Sequence, residues 1–267
     1  MNIQPKKSLG QNFLVNPHII DKIVSAAEVS KDDIILEVGP GTGNLTKKLA
    51  EKAKKVISVE KDHRLIEPLK ETFRDHSNIE IIEADILRWC PSYASYKVVA
   101  NIPYYITSNF LRTIFESASW RMAQPELIVL TIQKEVAQRI MAKPPHMNLL
   151  ALSVQYYSKP EIVGYISKNN FRPVPKVDSA IIKLISRSLA SGKDSGKIRN
   201  PKQTREIFEI MKIGFSEKRK QLAPILSKKL EINKNTILEA FKKTELKETA
   251  RAEELSLNQW QELAKIL

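Results

Sequence analysis

The sequence predicts an α/β fold: a mostly parallel sheet with helices on both faces, closed by an antiparallel hairpin and followed by a small all-α region. Three observations lead there. Apolar strand-like runs alternate with helix-like runs over the first two-thirds of the chain. The last two strand candidates are joined by a proline-rich segment too short for a crossover helix, so they should run antiparallel. Beyond a polar stretch, apolar residues fall at helical spacing, as in Ile207, Phe208, Met211 and Phe215.

In order, Ile34-Ile35-Leu36-Glu37-Val38 reads as a buried strand and Asn44 to Ala53 as a helix. Val56 to Glu60 is a second strand, Ile79 to Glu83 a third, and Val98 to Ala100 a fourth, with a helix from about Thr107. Leu127 to Ile132 is the fifth strand, and Leu149 to Tyr157 is helical. Ile162 to Ile166 and Ala180 to Ile185 complete seven. Seven strands ending in a hairpin describe the Rossmann-like sheet of class I methyltransferases better than the dehydrogenase sheet. Residues 1–187 are expected to form this domain. Residues 188–203, rich in Ser, Gly, Lys, Asp and Asn, read as a linker, and 204–267 as a domain of about four helices.

With 267 residues and 42% apolar content, the chain can bury a real core. Its net charge of +13 points to a polyanionic partner, since Lys and Arg bind nucleic acid by neutralising phosphates. No apolar run approaches a membrane span and the N-terminal residues lack a secretory core, so a soluble, cytoplasmic protein without a membrane partner is expected. The single cysteine, Cys90, allows no internal disulfide and reads as a small core residue. The four histidines show no metal-ligand spacing, so no metal is expected.

The segment Glu37-Val38-Gly39-Pro40-Gly41-Thr42-Gly43-Asn44 follows the first strand and opens a helix. Gly39 and Gly41 would let a ligand approach the backbone closely. A dinucleotide fingerprint needs a glycine where Asn44 stands, which argues against NAD and for an adenosyl ligand without pyrophosphate. Glu60, ending the second strand, can accept from both ribose hydroxyls, and Asp85, after the third, from an adenine amino group. Carboxylates at successive carboxyl ends of one sheet point to S-adenosylmethionine.

The fourth strand runs into Asn101-Ile102-Pro103-Tyr104. An adenine N6 amine is a poor nucleophile because its lone pair is delocalised into the ring. Two acceptors facing its two hydrogens, the Asn101 side-chain oxygen and the Ile102 carbonyl, would localise that pair. Pro103 would stiffen the turn, and Tyr104 could stack on the purine.

This tetrapeptide resembles the N-[LIP]-P-[YF] motif of N6-adenine methyltransferases. Lys7-Ser8-Leu9-Gly10-Gln11-Asn12-Phe13-Leu14, Gln133-Lys134-Glu135-Val136-Ala137, Phe171-Arg172-Pro173-Val174-Pro175-Lys176-Val177-Asp178-Ser179 and Arg251-Ala252-Glu253-Glu254-Leu255-Ser256 resemble stretches of the small-subunit (16S-type) ribosomal RNA adenine N6,N6-dimethyltransferases. The likeness spans essentially the whole chain. It implies that Asn12 and Leu14 close over S-adenosylmethionine, that Gly39, Glu60, Asp85 and Asn101 line its pocket, and that Phe171 lies across the target base from Tyr104. It also implies a substrate of two adjacent adenosines near the 3′ end of small-subunit ribosomal RNA, free or in a pre-assembled subunit, bound by a monomer with an RNA-binding helical domain. Lys134, Arg139, Arg172, Lys218, Arg219 and Lys220 are candidate RNA contacts. Two stretches depart from the family: Pro144-Pro145-His146-Met147-Asn148-Leu149, where relatives carry a Gly- and Tyr-containing turn, and Phe215 to Leu222, less arginine-rich here. The rival readings are an Erm-type large-subunit methyltransferase and a non-catalytic RNA-binding assembly factor, including a mitochondrial transcription-factor relative.

Overall fold

A computed structural model describes the chain except residues 1–4, 7–9, 94, 118–119, 121–123, 188–199 and 218. Most of the expected linker, Lys218 and the Lys7-Ser8-Leu9 part of the N-terminal motif therefore lie outside the described residues. The described residues fall into two compact units.

The first unit is built on a seven-stranded sheet. Its strands are β2 (Ile34–Val38), β3 (Lys55–Glu60), β4 (Ile79–Glu83), β5 (Lys97–Asn101), β6 (Leu127–Gln133), β7 (Ser158–Ile166) and β9 (Ser179–Ser186). Their spatial order is β4-β3-β2-β5-β6-β9-β7. The first five are parallel, and β9 runs antiparallel between β6 and β7. The chain builds outward from β2 through β3 and β4, then returns to place β5 on the other side of β2. The carboxyl ends of β2 and β5 thus form a switch point, where open α/β sheets leave a crevice for ligands. Both the Gly39–Gly43 turn and Asn101 sit there.

One sheet face packs Ile35, Val56, Val99, Val129 and Ile181 against α1 (Pro17–Ala26) and α2 (Asn44–Ala50), through Ile20, Ile23, Val24, Leu45 and Leu49. Fully burying one such side chain contributes roughly 1.5–3 kcal/mol. Asn16 caps α1, accepting the His18 N–H, and Pro17 suits its first turn. Asp62 caps α3 (His63–Thr72) in the same way through Arg64. The helix opening at Thr107 is α4 (Thr107–Glu116), and α5 (Lys134–Ile140) follows β6.

Two two-residue strands form an additional antiparallel sheet: β1 (Phe13–Leu14) and β8 (Phe171–Arg172), with Phe13 opposite Arg172 and Leu14 opposite Phe171. This pairing joins two of the motif stretches across 150-odd residues of chain, a closure that the sequence pattern does not announce.

The second unit differs from the expected boundaries. It takes Arg139–Tyr157 as well as the helices from Pro201 onward, so the first unit is interrupted rather than continuous to Arg187. The cause is α6 (Leu149–Tyr157), which is buried nearly all round. Its Tyr156 and Tyr157 rings pack 5.1 and 5.7 Å from the Phe208 ring on α7 (Pro201–Gly214), and the Tyr156 hydroxyl meets Thr204 Oγ1 at 3.0 Å. Further helices are α8 (Leu222–Leu230), α9 (Lys234–Lys243) and α10 (Leu257–Ile266). The Arg251–Ser256 motif is architectural here. Leu255 is buried, Glu254 accepts from the Arg251 N–H at 2.7 Å, and Ser256 with Gln259 forms a capping box that starts α10.

Candidate active site

The switch-point crevice is a cleft of about 980 Å³ measured to its open mouth. Asn12, Leu14, Gly39, Gly41, Glu60, Asp85, Asn101 and Tyr104 all line it. Eight of the nine residues singled out from sequence therefore converge on one hollow, and Phe171 does not.

The floor is the glycine turn. Gly41 takes φ +58°, and a Cβ there would lie 2.8 Å from the Phe13 ring, so only glycine lets the N-terminal segment pass. Gly43, at φ +81°, begins α2, and its Cβ would meet Phe73 at 2.8 Å. Asn44 explains its own departure from a dinucleotide fingerprint: its Nδ2 donates to the Leu14 carbonyl at 3.2 Å and ties that segment to the turn.

Glu60 is nearly buried. Its Oε1 accepts from the Lys61 and Asp62 N–H groups at 2.9 and 2.8 Å, while Oε2 receives a longer 3.4 Å bond from Gly41 N–H. Burial raises its carboxyl pKa, against the pull of those N–H donors. Oε2 retains accepting capacity for hydroxyls. Asp85 sits at the rim, bonded to Lys61 Nζ at 2.8 Å and to the Leu87 N–H at 3.1 Å. Its partial burial opposes ionisation, but Lys61 and the backbone bond outweigh it and hold the pKa below the usual value.

Asn101 carries the least expected feature. Its Nδ2 donates to the Asn12 carbonyl at 3.0 Å, which fixes the orientation of the amide. Its Oδ1 is buried and has no hydrogen-bond partner among the described residues. A buried acceptor left unbonded costs about 1–3 kcal/mol. Asn101 lines the cleft, which makes this acceptor a candidate partner for a bound ligand. Tyr104 stands beside it, its hydroxyl 2.5 Å from Ser179 Oγ, with burial raising its pKa.

The expected place of Phe171 is corrected. Its side chain is fully buried in the core with Leu14, Ile20 and Ile181. Strand alternation in β8 sends Phe171 inward and exposes Arg172, so in this structure Phe171 supports the wall instead of facing a base. The aromatic ring that is exposed at the cleft is Tyr105, half open to solvent and packed on Gly10.

Two contributors were not assigned a role from sequence. Glu37 lines the cleft and is buried, its Oε2 accepting from Thr46 Oγ1 at 2.6 Å and Ser58 Oγ at 2.7 Å. Burial raises its pKa to about 7, with Glu60 adding to the shift and the two hydroxyls opposing it. A lone carboxylate inside an otherwise apolar strand was the available signal. Gln11 donates to Asp62 Oδ2 at 2.8 Å and so pins the N-terminal segment over the cleft. Arg64, then Gln11, hold the Asp62 carboxyl well below the usual carboxylate range despite partial burial.

The residues fit S-adenosylmethionine: a glycine-floored turn without a pyrophosphate cradle, a buried carboxylate whose Oε2 can still accept, and a rim carboxylate one strand further along.

A model of the ribosomal RNA adenine dimethylase family matches residues 2–267. A ribosomal RNA small subunit methyltransferase A from Dehalococcoides mccartyi (strain CBDB1) is 37% identical over 266 residues, covering 98% of this chain and 88% of that protein. One from Lachnoclostridium phytofermentans is 37% identical, covering 98% and 91%. Among solved structures, a dimethyladenosine transferase from Plasmodium falciparum matches with a TM-score of 0.77 at 30% identity, covering 94% of this chain and 95% of that one. The 23S rRNA methyltransferase ErmE matches with a TM-score of 0.74 at 28% identity, covering 96% and 99%. With a family model matched from end to end over an intact cleft, the chain belongs to the ribosomal RNA adenine dimethylase family.

Proposed function

We propose that this protein transfers methyl groups from S-adenosylmethionine to N6 of two adjacent adenosines near the 3′ end of small-subunit ribosomal RNA, as a monomer in the cytoplasm. The observation that carries the reading is the buried, unpartnered Asn101 Oδ1 at the cofactor cleft.

The donor supplies an electrophilic methyl group. The protein's own contribution is to hold the two reactants and to make the amine nucleophilic. Glu60 binds the ribose hydroxyls, Asp85 receives the adenine amino group of the donor, and Gly39 and Gly41 let the donor lie against the backbone. Asn12 and Leu14 cover it. Asn101 Oδ1 accepts one N6 hydrogen of the target adenine and the Ile102 carbonyl the other, which draws the lone pair out of the ring plane. The Asn12 carbonyl keeps the Asn101 amide from flipping and presenting its nitrogen instead. Tyr104 lies against the purine face. No strong base is required, because the N6 proton becomes acidic as the methyl arrives.

The Erm-type reading shares the fold, as the ErmE match shows, but the curated relatives at 37% identity are named for the small subunit. The non-catalytic reading has no support in the site, where the proposed acceptor and both carboxylates are in place. The test is to incubate the protein with unmodified small subunits and isotope-labelled donor and to map modified adenines by mass spectrometry. Two adjacent adenosines, each gaining two labelled methyl groups, are expected. Label confined to large-subunit RNA, or no label, would refute the proposal.

A further inference from the structure

A second hollow of about 650 Å³ opens at the same carboxyl edge of the sheet, outside the cofactor cleft. Lys134, Lys168 and Lys176 border it, with Glu135 and Asp178. The three lysines come from separate stretches of chain: the start of α5, the turn after β7 and the loop before β9. Asp178 joins those stretches. Its Oδ1 accepts the Lys168 N–H at 3.0 Å and its main-chain carbonyl accepts the Lys134 N–H at 3.0 Å.

Two features describe the setting of these lysines. Lys55, Lys61, Lys97 and Lys183 each meet a carboxylate. Among the described residues, none of the hollow's three lysines forms such an ion pair, and with Glu135 and Asp178 beside them the hollow keeps a net positive charge. In addition, Lys134 Nζ sits 5.1 Å over the ring of Tyr165, which is 52% exposed, so an aromatic face adjoins the cations. Unpaired cations beside an exposed ring suit a single nucleic-acid strand, whose phosphates need charge and whose bases stack.

The hollow also adjoins the acceptor site. Ser179, next in the chain after Asp178, holds the Tyr104 hydroxyl. It is also the register partner of Gln133, the residue before Lys134. One residue step therefore separates the lysine hollow from the wall against which the target adenine would lie.

We propose that this hollow is a phosphate-binding subsite that grips the RNA strand flanking the methyl-accepting adenosine, with Tyr165 offered to a neighbouring base. The proposal rests on the function argued above and adds a specific docking point to it.

The test compares two triple variants of equal charge change. One carries Lys134→Ala, Lys168→Ala and Lys176→Ala, all at exposed positions. The other carries Lys31→Ala, Lys52→Ala and Lys54→Ala, exposed at the opposite edge of the sheet. Affinity for a fluorescent RNA hairpin bearing two adjacent adenosines is measured across a potassium chloride series, with donor affinity and melting temperature as controls. The slope of log affinity against log salt should become shallower by about 2 in the hollow variant, at roughly 0.7 per lost single-strand contact, and change little in the other. Donor affinity and melting should be the same in both. Equal slope changes would mean bulk charge only, and an unchanged slope in the hollow variant would mean no contact; either result overturns the proposal. If the wild-type protein binds the hairpin but leaves the adenosines of unmodified small subunits unmethylated, the proposed function fails while the salt slopes still decide the subsite.

Discussion

The two ends of strand β5 treat polar groups in opposite ways. At the amino edge, Lys55 at the start of β3 pairs with Glu80 at 2.7 Å, and Lys97 at the start of β5 pairs with Asp33 at 2.8 Å while also bonding the Glu28 carbonyl. Every charge named there is answered from within the fold. At the carboxyl edge, Asn101 Oδ1 has no donor among the described residues and Glu60 Oε2 holds only a long 3.4 Å bond, while Lys61 still pairs with Asp85 at 2.8 Å. Strand β5 shows both behaviours within five residues, from Lys97 to Asn101. On the proposed function, the difference separates bonds that serve the fold from bonds left for ligands.

The largest expected effect comes from breaking the withheld side. Asn101→Ala should lower the single-turnover methylation rate about 10²–10³-fold with donor and RNA both saturating, the scale seen when a preorganised polar group is removed from a reaction centre. RNA affinity, set mainly by phosphate contacts, should change little. A normal rate would reduce the Asn101-Ile102-Pro103-Tyr104 stretch to a structural turn.

Next comes Glu37, a buried carboxylate at the cleft. Its folded pKa of about 7 lies above its ordinary value of 4.5. The folded state therefore binds this proton more tightly than the unfolded chain does. The resulting stability is complete below about pH 4.5 and is lost as pH rises through 7. Between pH 5 and pH 8, wild-type protein without ligand should lose up to about 3 kcal/mol of unfolding free energy through this group, and Glu37→Gln should lose less. Parallel pH profiles in urea denaturation would remove Glu37 as the cause.

Glu60→Ala should weaken donor binding by about 1.5–3 kcal/mol, the scale of hydrogen bonds to a charged group. Calorimetry that finds unchanged affinity would move the ribose elsewhere. The smallest effect is expected at the satisfied edge. Lys97→Ala should cost about 1–2 kcal/mol of stability, since a half-buried ion pair and a carbonyl bond are lost together, with the methylation rate per folded molecule unchanged. A fall in that rate would blur the division between the edges.

Much of this architecture could be read from the chain because it rests on local patterns. Ile34 to Val38 is apolar enough to be a buried strand, and the glycine turn follows it directly, so its place at the switch point follows from topology alone. The same holds for Asn101 at the end of β5. What escaped the sequence depends on contacts between distant segments. Strands β1 and β8 have two residues each, too few for a period-two pattern, so their pairing and the inward turn of Phe171 had no local signal. Helix α6 lies between two strands of the first unit, yet its tyrosines pack on Phe208. The lysine hollow gathers residues from three segments, and each lysine alone reads as a solvated charge.

The central claim is that the fold withholds a bond at Asn101, and the unfolding free energy of Asn101→Ala without ligand tests it most directly. The substitution removes one bond to the Asn12 carbonyl, worth about 0.5–1.5 kcal/mol, and also removes a buried, unbonded oxygen that costs about 1–3 kcal/mol. The account predicts stability equal to wild type within about 1 kcal/mol, or slightly above it, in a variant whose methylation is slowed about 10²–10³-fold. A loss of about 3 kcal/mol or more would contradict it, because Asn101 would then be holding the turn together and not waiting for an adenine.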